Sequence, residues 1–365
     1  MAWYHWFVAL VPLVPAFTSA KEADPSPPNF VLIFTDDQGD GDLGCFGCQR
    51  VRTPHIFLGL PYSHDIHPLN QPDKWDFPPL PLLEGEKVVA VDPDPDQFTR
   101  RFTDTAIEFI RAHRDEPFFV YLPHPLPHRP LHASEEFTAK LNPPPADDLP
   151  SYPKAARDRI YPAAIEEIDH NVGRIIELLD RLDLAERTLV VFTSDNGPTV
   201  GSSGPLRGGK GSALEGGVRV PCVARWAGRI PAGRTVDAVT SVMDWLPTFA
   251  AIAGAEVPTD RVIDGHDITP LLTGATDESP YRIILYYQGD RVAAARMGPW
   301  KLYHGSQLYN LETDIGERRN VAKEHPEIVA RIRTATERAH RELLENRRPV
   351  GRVKSPRPLV PHSTE

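Results

Sequence analysis

The chain has 365 residues, of which 41% are hydrophobic and 25% charged, with a formal net charge of -10. That length can bury a large core, the composition is that of a globular protein, and the acidic excess argues against a nucleic-acid partner, which requires a basic face. Three cysteines, Cys45, Cys48 and Cys222, permit one bridge at most and exclude a disulfide-stapled scaffold.

Residues 6–17 form an apolar run too short to span a bilayer comfortably. Thr18-Ser19-Ala20 then supplies small residues suited to cleavage after Ala20. Residues 1–20 are therefore expected to be a signal peptide, although no Lys or Arg precedes the run, and the protein is expected to be exported. No later stretch is long and apolar enough for a membrane span. A polar, Pro-rich leader occupies residues 21–28.

Residues 29–35 are a continuous apolar run ending at Asp36-Asp37, the pattern of a strand buried on both faces. A second such run, 118–122, ends at Pro123-His124, and a third, 188–193, ends at Ser194-Asp195-Asn196-Gly197. Helical periodicity fills residues 96–114, 163–181 and 242–253. Many of the 39 prolines fall between Pro61 and Pro153, which predicts long, stiff loops there. Strand patterns at 281–287, 292–297, 300–303 and 307–309 have hairpin spacing. A helix follows over 326–345, and the tail from Asn346 is basic and Pro-rich.

The fold class is thus α/β: a mostly parallel central sheet flanked by helices, with a smaller C-terminal antiparallel sheet plus a helix. The expected organisation is an N-terminal α/β domain over 29–257, a C-terminal α+β subdomain over 258–345, and a disordered tail over 346–365. No internal repeat is visible.

Polar residues just past strand C-termini mark the site of such a sheet. Asp36 and Asp37 repel each other unless a cation lies between them, and hard oxygen ligands favour calcium or magnesium. Asp195-Asn196 ends another strand in the same way. The alternative for either pair is a turn or a helix cap. Residues 36–47 brush an EF-hand loop but place Gly47 where a bidentate Glu is needed. Gly204-Pro205-Leu206-Arg207-Gly208-Gly209-Lys210 is close to a Walker A loop, yet Gly211 supplies no hydroxyl for Mg²⁺. Its glycines still let backbone amides and Lys210 approach a tetrahedral oxyanion. His124 and His128 lie among prolines that forbid a helix, so they are not an i, i+4 zinc pair. A histidine on a rigid loop can donate a proton, or it can be an incidental turn residue. Cys45-Phe46-Gly47-Cys48 has redox spacing without the matching strand-helix context.

Taken together these segments resemble the sulfatase family of the alkaline-phosphatase-like superfamily. The resemblance rests on residues 28–39, Thr53-Pro54-His55-Ile56, Gly59-Leu60-Pro61-Tyr62-Ser63, Phe192-Thr193-Ser194-Asp195-Asn196-Gly197-Pro198, the glycine loop 204–211 with Glu215-Gly216-Gly217-Val218-Arg219-Val220-Pro221, and residues 308–314. It implies an arylsulfatase-type sulfuric ester hydrolase acting on a sulfate-ester small molecule or glycan. Asp36, Asp37, Asp195 and Asn196 match calcium ligands, with magnesium still open. Lys210 and His128 match groups that hold the sulfate or the ester oxygen, and His124 beside them is a secondary candidate.

The family's nucleophile is a formylglycine made from the Cys or Ser of a Cys/Ser-x-Pro/Ala-x-Arg motif. None of the three cysteines fits it. Ser203-Gly204-Pro205-Leu206-Arg207 fits in letters but lies inside the glycine loop. The resemblance places the motif between Ile56 and Phe57, where two of its segments are nearly fused, so an internal deletion is expected there, which takes the nucleophile and puts the activity of this chain in question. Such a deletion is expected to expose strand edges and apolar faces. Two other readings stay open: a non-enzymatic relative that binds metal or sulfated glycans, and a phosphodiesterase or phosphonate hydrolase of the same superfamily.

Overall fold

A computed structural model describes residues 27–35, 58–61, 63–69, 77–85, 87–141 and 158–349. The expected signal peptide and leader up to residue 26, Asp36, Asp37, Cys45, Cys48 and the 56–57 junction lie outside the described residues, as does the tail beyond residue 349.

The central sheet is built on β1 (Asn29–Thr35), every residue of which is buried. Strands β2 (Leu58–Gly59), β3 (Pro81–Glu84) and β4 (Lys87–Val91) form a separate small antiparallel sheet, in that order. Strands β5 (Phe119–His124) and β6 (Thr188–Ser194) flank β1 in parallel, and β7 (Cys222–Arg225) adds an antiparallel edge to β6. The order is β5-β1-β6-β7.

Alternation along these strands divides the core. Val31, Ile33, Val120, Leu122 and Val190 face one helical layer, made by α1 (Phe98–Ala112) and α2 (Tyr161–Arg181). Phe98, Phe102, Ala106 and Ile110 give α1 a buried stripe at helical spacing. Phe30, Leu32, Phe34, Leu189 and Val191 face the other layer, where α3 (Trp245–Ala253) contributes Trp245 and Phe249, and Ile268 and Leu271 follow. Runs buried on both faces therefore have no polar alternation, as the sequence pattern requires.

The N-terminal ends of the three parallel strands are tied by Asn29. Its Nδ2 donates to Thr188 Oγ1 at 3.2 Å, and its Oδ1 accepts from Phe118 N at 3.1 Å. β5 runs on through Pro123 and His124, past the 118–122 run read from the sequence. Pro123 costs little because β5 is an edge strand.

The Pro-rich stretch is only partly loop. β3 places Leu82 in the main core, next to Leu80, and β4 forms an edge with Val88, Val89 and Val91 exposed. Val223 on β7 is 63% exposed.

The C-terminal part is the antiparallel sheet β8 (Ile284–Gln288), β9 (Arg291–Met297), β10 (Trp300–Tyr303) and β11 (Gln307–Asn310), with α4 (Pro326–Glu345) packing Val329 and Ile332 onto Ala295, Leu302 and Leu308. The first strand starts three residues later than the sequence pattern predicts. Among the described residues no helix is long and apolar enough to cross a membrane.

Candidate active site

The parallel strands deliver their C-terminal ends to one place. Thr35 pairs with His124 on one side and with Ser194 on the other. Asp195-Asn196 follows Ser194 directly, and Ser194 Oγ donates to the Thr35 carbonyl at 3.4 Å. Asp36 and Asp37, the next residues after Thr35, lie outside the described residues.

Asp195 accepts from Asn196 N at 2.7 Å and also from Asn196 Nδ2. Asn196 Oδ1 is a buried oxygen without a hydrogen-bond partner. A buried acceptor costs free energy unless a donor or a cation meets it. Carboxylate and carboxamide oxygens fit a hard divalent cation, calcium or magnesium. The charge of Asp195 also reaches Tyr121: burial first, and then this carboxylate, push the phenol up to about 12.

The glycine loop is packed against the same strand end. Gly197 N donates to Gly217 O at 2.9 Å, and Lys210 N donates to Pro198 O at 3.2 Å. The Lys210 backbone is thereby pinned two residues beyond Asn196, with its side chain exposed. A Cβ on Gly197 would lie 1.9 Å from the Gly216 carbonyl oxygen, so the close approach requires glycine.

Behind the loop Glu215, 1% exposed, accepts from Lys301 Nζ at 2.8 Å. Lys301 lies on β10 with no exposed surface and reaches Glu317 at 3.2 Å, while Arg296 stands 3.5 Å from Glu215. Glu215 N donates to Glu317 Oε2 at 2.7 Å. This buried charge cluster joins the C-terminal sheet to the glycine loop.

His124 and His128 occupy different environments. His124 is 1% exposed, its ring nitrogens have no hydrogen-bond partner, and burial lowers its pKa to about 4. It is a neutral interior residue at neutral pH. His128 is partly accessible, and its Nδ1 lies 3.3 Å from Asp65 Oδ1. Asp65 belongs to a 3-10 turn, His64–Ile66, whose N-terminal Ser63 side chain accepts from Asp65 N at 3.3 Å. His64 Nε2 sits 3.1 Å from the Pro130 carbonyl, and its ring meets the His128 ring edge-on at 5.6 Å. Burial, then the neighbouring His132, lowers the His64 pKa to about 3. His132 in turn pairs with Asp96 at 2.8 Å.

Sequence reasoning singled out His128 but not Asp65, His64, His132 or Asp96. The Ser63-His64-Asp65 string directly after the Gly-Leu-Pro-Tyr segment was the available signal. Its partners are more than sixty residues away, and spacing cannot reveal that.

The family model for sulfatases matches residues 60–255. Human (Homo sapiens) steryl-sulfatase is 34% identical over 272 residues, covering 70% of this chain and 42% of that protein. N-acetylgalactosamine-6-sulfatase of Canis lupus familiaris is 35% identical over 262 residues, covering 69% of this chain and 46% of that protein. The crystal structure of Ps i-CgsB superposes with a TM-score of 0.60 at 30% identity, covering 73% of this chain and 58% of that one. The chain belongs to the sulfatase family, and it spans under half the length of the two curated relatives.

Proposed function

We propose that this chain is the body of an exported sulfuric ester hydrolase. The supporting observation is the convergence at the β1 and β6 strand ends, where Asn196 Oδ1 is a buried oxygen without a hydrogen-bond partner. Asp36, Asp37, Asp195 and Asn196 would hold a divalent cation, calcium before magnesium given an all-oxygen donor set. Such an ion supplies positive charge to a sulfate oxygen and to the incoming nucleophile.

The chain's own residues do the rest. Lys210, on a loop fixed to Pro198, supplies a cation for the sulfate oxygens. His128 faces Asp65 through Nδ1. A protonated His128 would give its Nε2 proton to the departing ester oxygen. His124, neutral and sealed, takes a packing role here. The formylglycine motif belongs between Ile56 and Phe57, and a chain without it binds the ester but turns it over poorly.

The names of the relatives support a sulfate ester of a sterol or of an amino sugar as the substrate class. The discriminating experiment uses calcium and nitrocatechol sulfate on purified full chain. Calcium is expected to raise the melting temperature, and Asp195→Ala to abolish that rise. No calcium effect in either protein would overturn the site. Turnover lost in Asp195→Ala supports an enzyme, whereas calcium stabilisation without turnover supports the non-enzymatic reading. Matched sulfate and phosphate esters separate sulfatase from phosphonate or phosphodiester hydrolysis. Sequencing the locus is expected to find the Cys/Ser-x-Pro/Ala-x-Arg segment at the junction; an uninterrupted join in genome and transcript rules out a lost exon.

A further inference from the structure

We propose that His64, Asp65 and His128 form a second metal site, of zinc chemistry, beside the strand-end oxygen site. One ligand atom from each of the three lies within 4.8 Å of the others. Asp65 Oδ1 and His128 Nδ1 are 3.3 Å apart. A tetrahedral zinc with bonds of about 2.0–2.1 Å sets neighbouring donors about 3.3 Å apart, so this pair already stands at the required spacing. His64 completes a triangle after a movement of roughly 1–1.5 Å on the same geometry.

The donor set selects the metal. Two imidazoles and one carboxylate suit zinc and its neighbours, whereas calcium prefers six to eight oxygens. Among the described residues the protein offers three ligands, the number of a zinc site whose fourth position takes water or an anion. The outer contacts are those that metal-binding histidines use. The Pro130 carbonyl accepts from His64 Nε2 at 3.1 Å, which leaves Nδ1 carrying the lone pair. Behind His64, at 6.0 Å between ring centroids, His132 is held by Asp96.

Occupation would tie the 58–66 segment to the His128 loop. It would also take the Nδ1 that faces Asp65, so zinc and a protonated His128 exclude each other. The site stands on geometry alone; zinc inhibition of turnover is expected in addition where His128 is the proton donor proposed above.

The test titrates tag-free, chelator-treated full chain with Zn²⁺ by calorimetry, and with Co²⁺ as a visible-absorption probe. One site is expected, with a four-coordinate Co²⁺ band that Zn²⁺ displaces and a hundredfold excess of Ca²⁺ does not. His64→Gln and His128→Gln are expected to weaken Zn²⁺ at least tenfold, while His124→Gln and Asp195→Ala leave it unchanged. Zn²⁺ affinity untouched by both His64→Gln and His128→Gln overturns the site. So does a wild-type Co²⁺ complex whose X-ray absorption lacks imidazole scattering, a measurement that needs no variant to fold. Loss of calcium stabilisation with zinc binding intact would reject the proposed function alone.

Discussion

At position 124 a histidine sits where three buried strands end, without a partner for either ring nitrogen. Burial lowers its pKa from 6.5 to about 4, so the folded chain resists protonation that the unfolded chain accepts. Its stability contribution is present above pH 6.5 and is lost as pH falls toward 4. Linkage puts the loss at about 3 kcal/mol over that window. Urea melts from pH 7 to pH 4 are expected to show a steeper decline in the wild type than in His124→Gln; parallel declines would refute the assignment. His128 and Asp195 could be singled out as candidates from the sequence because each follows a strand or lies in a short motif. Asp65 and the ion partners of Glu215 could not, because a charge partner across sixty or a hundred residues leaves no local trace.

The glycine loop is the element whose packing is most exacting. A methyl at Gly197 would meet the Gly216 carbonyl oxygen at 1.9 Å, and one at Gly217 would meet the Ser212 carbonyl oxygen at 2.1 Å. Gly197→Ala is expected to cost about 1–3 kcal/mol through overpacking. Gly173 within α2 has nothing within 4 Å and an ordinary helical backbone. Gly173→Ala is expected to stabilise by about 0.5–1 kcal/mol. Opposite shifts in the urea midpoint check both at once. The buried strands and long helices were readable from periodicity, and their ends moved by only a few residues. The β2-β3-β4 sheet was hidden because one strand is two residues long and prolines surround the others. The four-residue β7 was hidden for the same reason of length.

Across the whole molecule, a buried ion cluster stands beside a small alanine cluster, Ala213 with Ala293 and Ala294, where the C-terminal sheet meets the glycine loop. Lys301 is fully buried between Glu215 and Glu317. Removing the cation leaves two buried carboxylates, so Lys301→Met is expected to cost about 3–5 kcal/mol. The Arg319–Glu324 pair, 73% and 51% exposed, is the control, and Glu324→Ala is expected to cost under about 1 kcal/mol. Equal losses in denaturant melts would show that the buried cluster is not what couples the parts. The α/β architecture and the C-terminal sheet were legible from the order of strand and helix patterns. Their joint was not, since Lys301 reads as an ordinary surface residue of a short strand.

Asn29 gives the molecule a plasticity that its strand ends alone would not. Its carboxamide fastens the starts of β5, β1 and β6, at the opposite end from Asp195. The frame is anchored away from the chemistry. Segments hanging from the other end can be shortened, lengthened or exchanged while the strand register, set by seven paired residues along β1 and β6, stays in place.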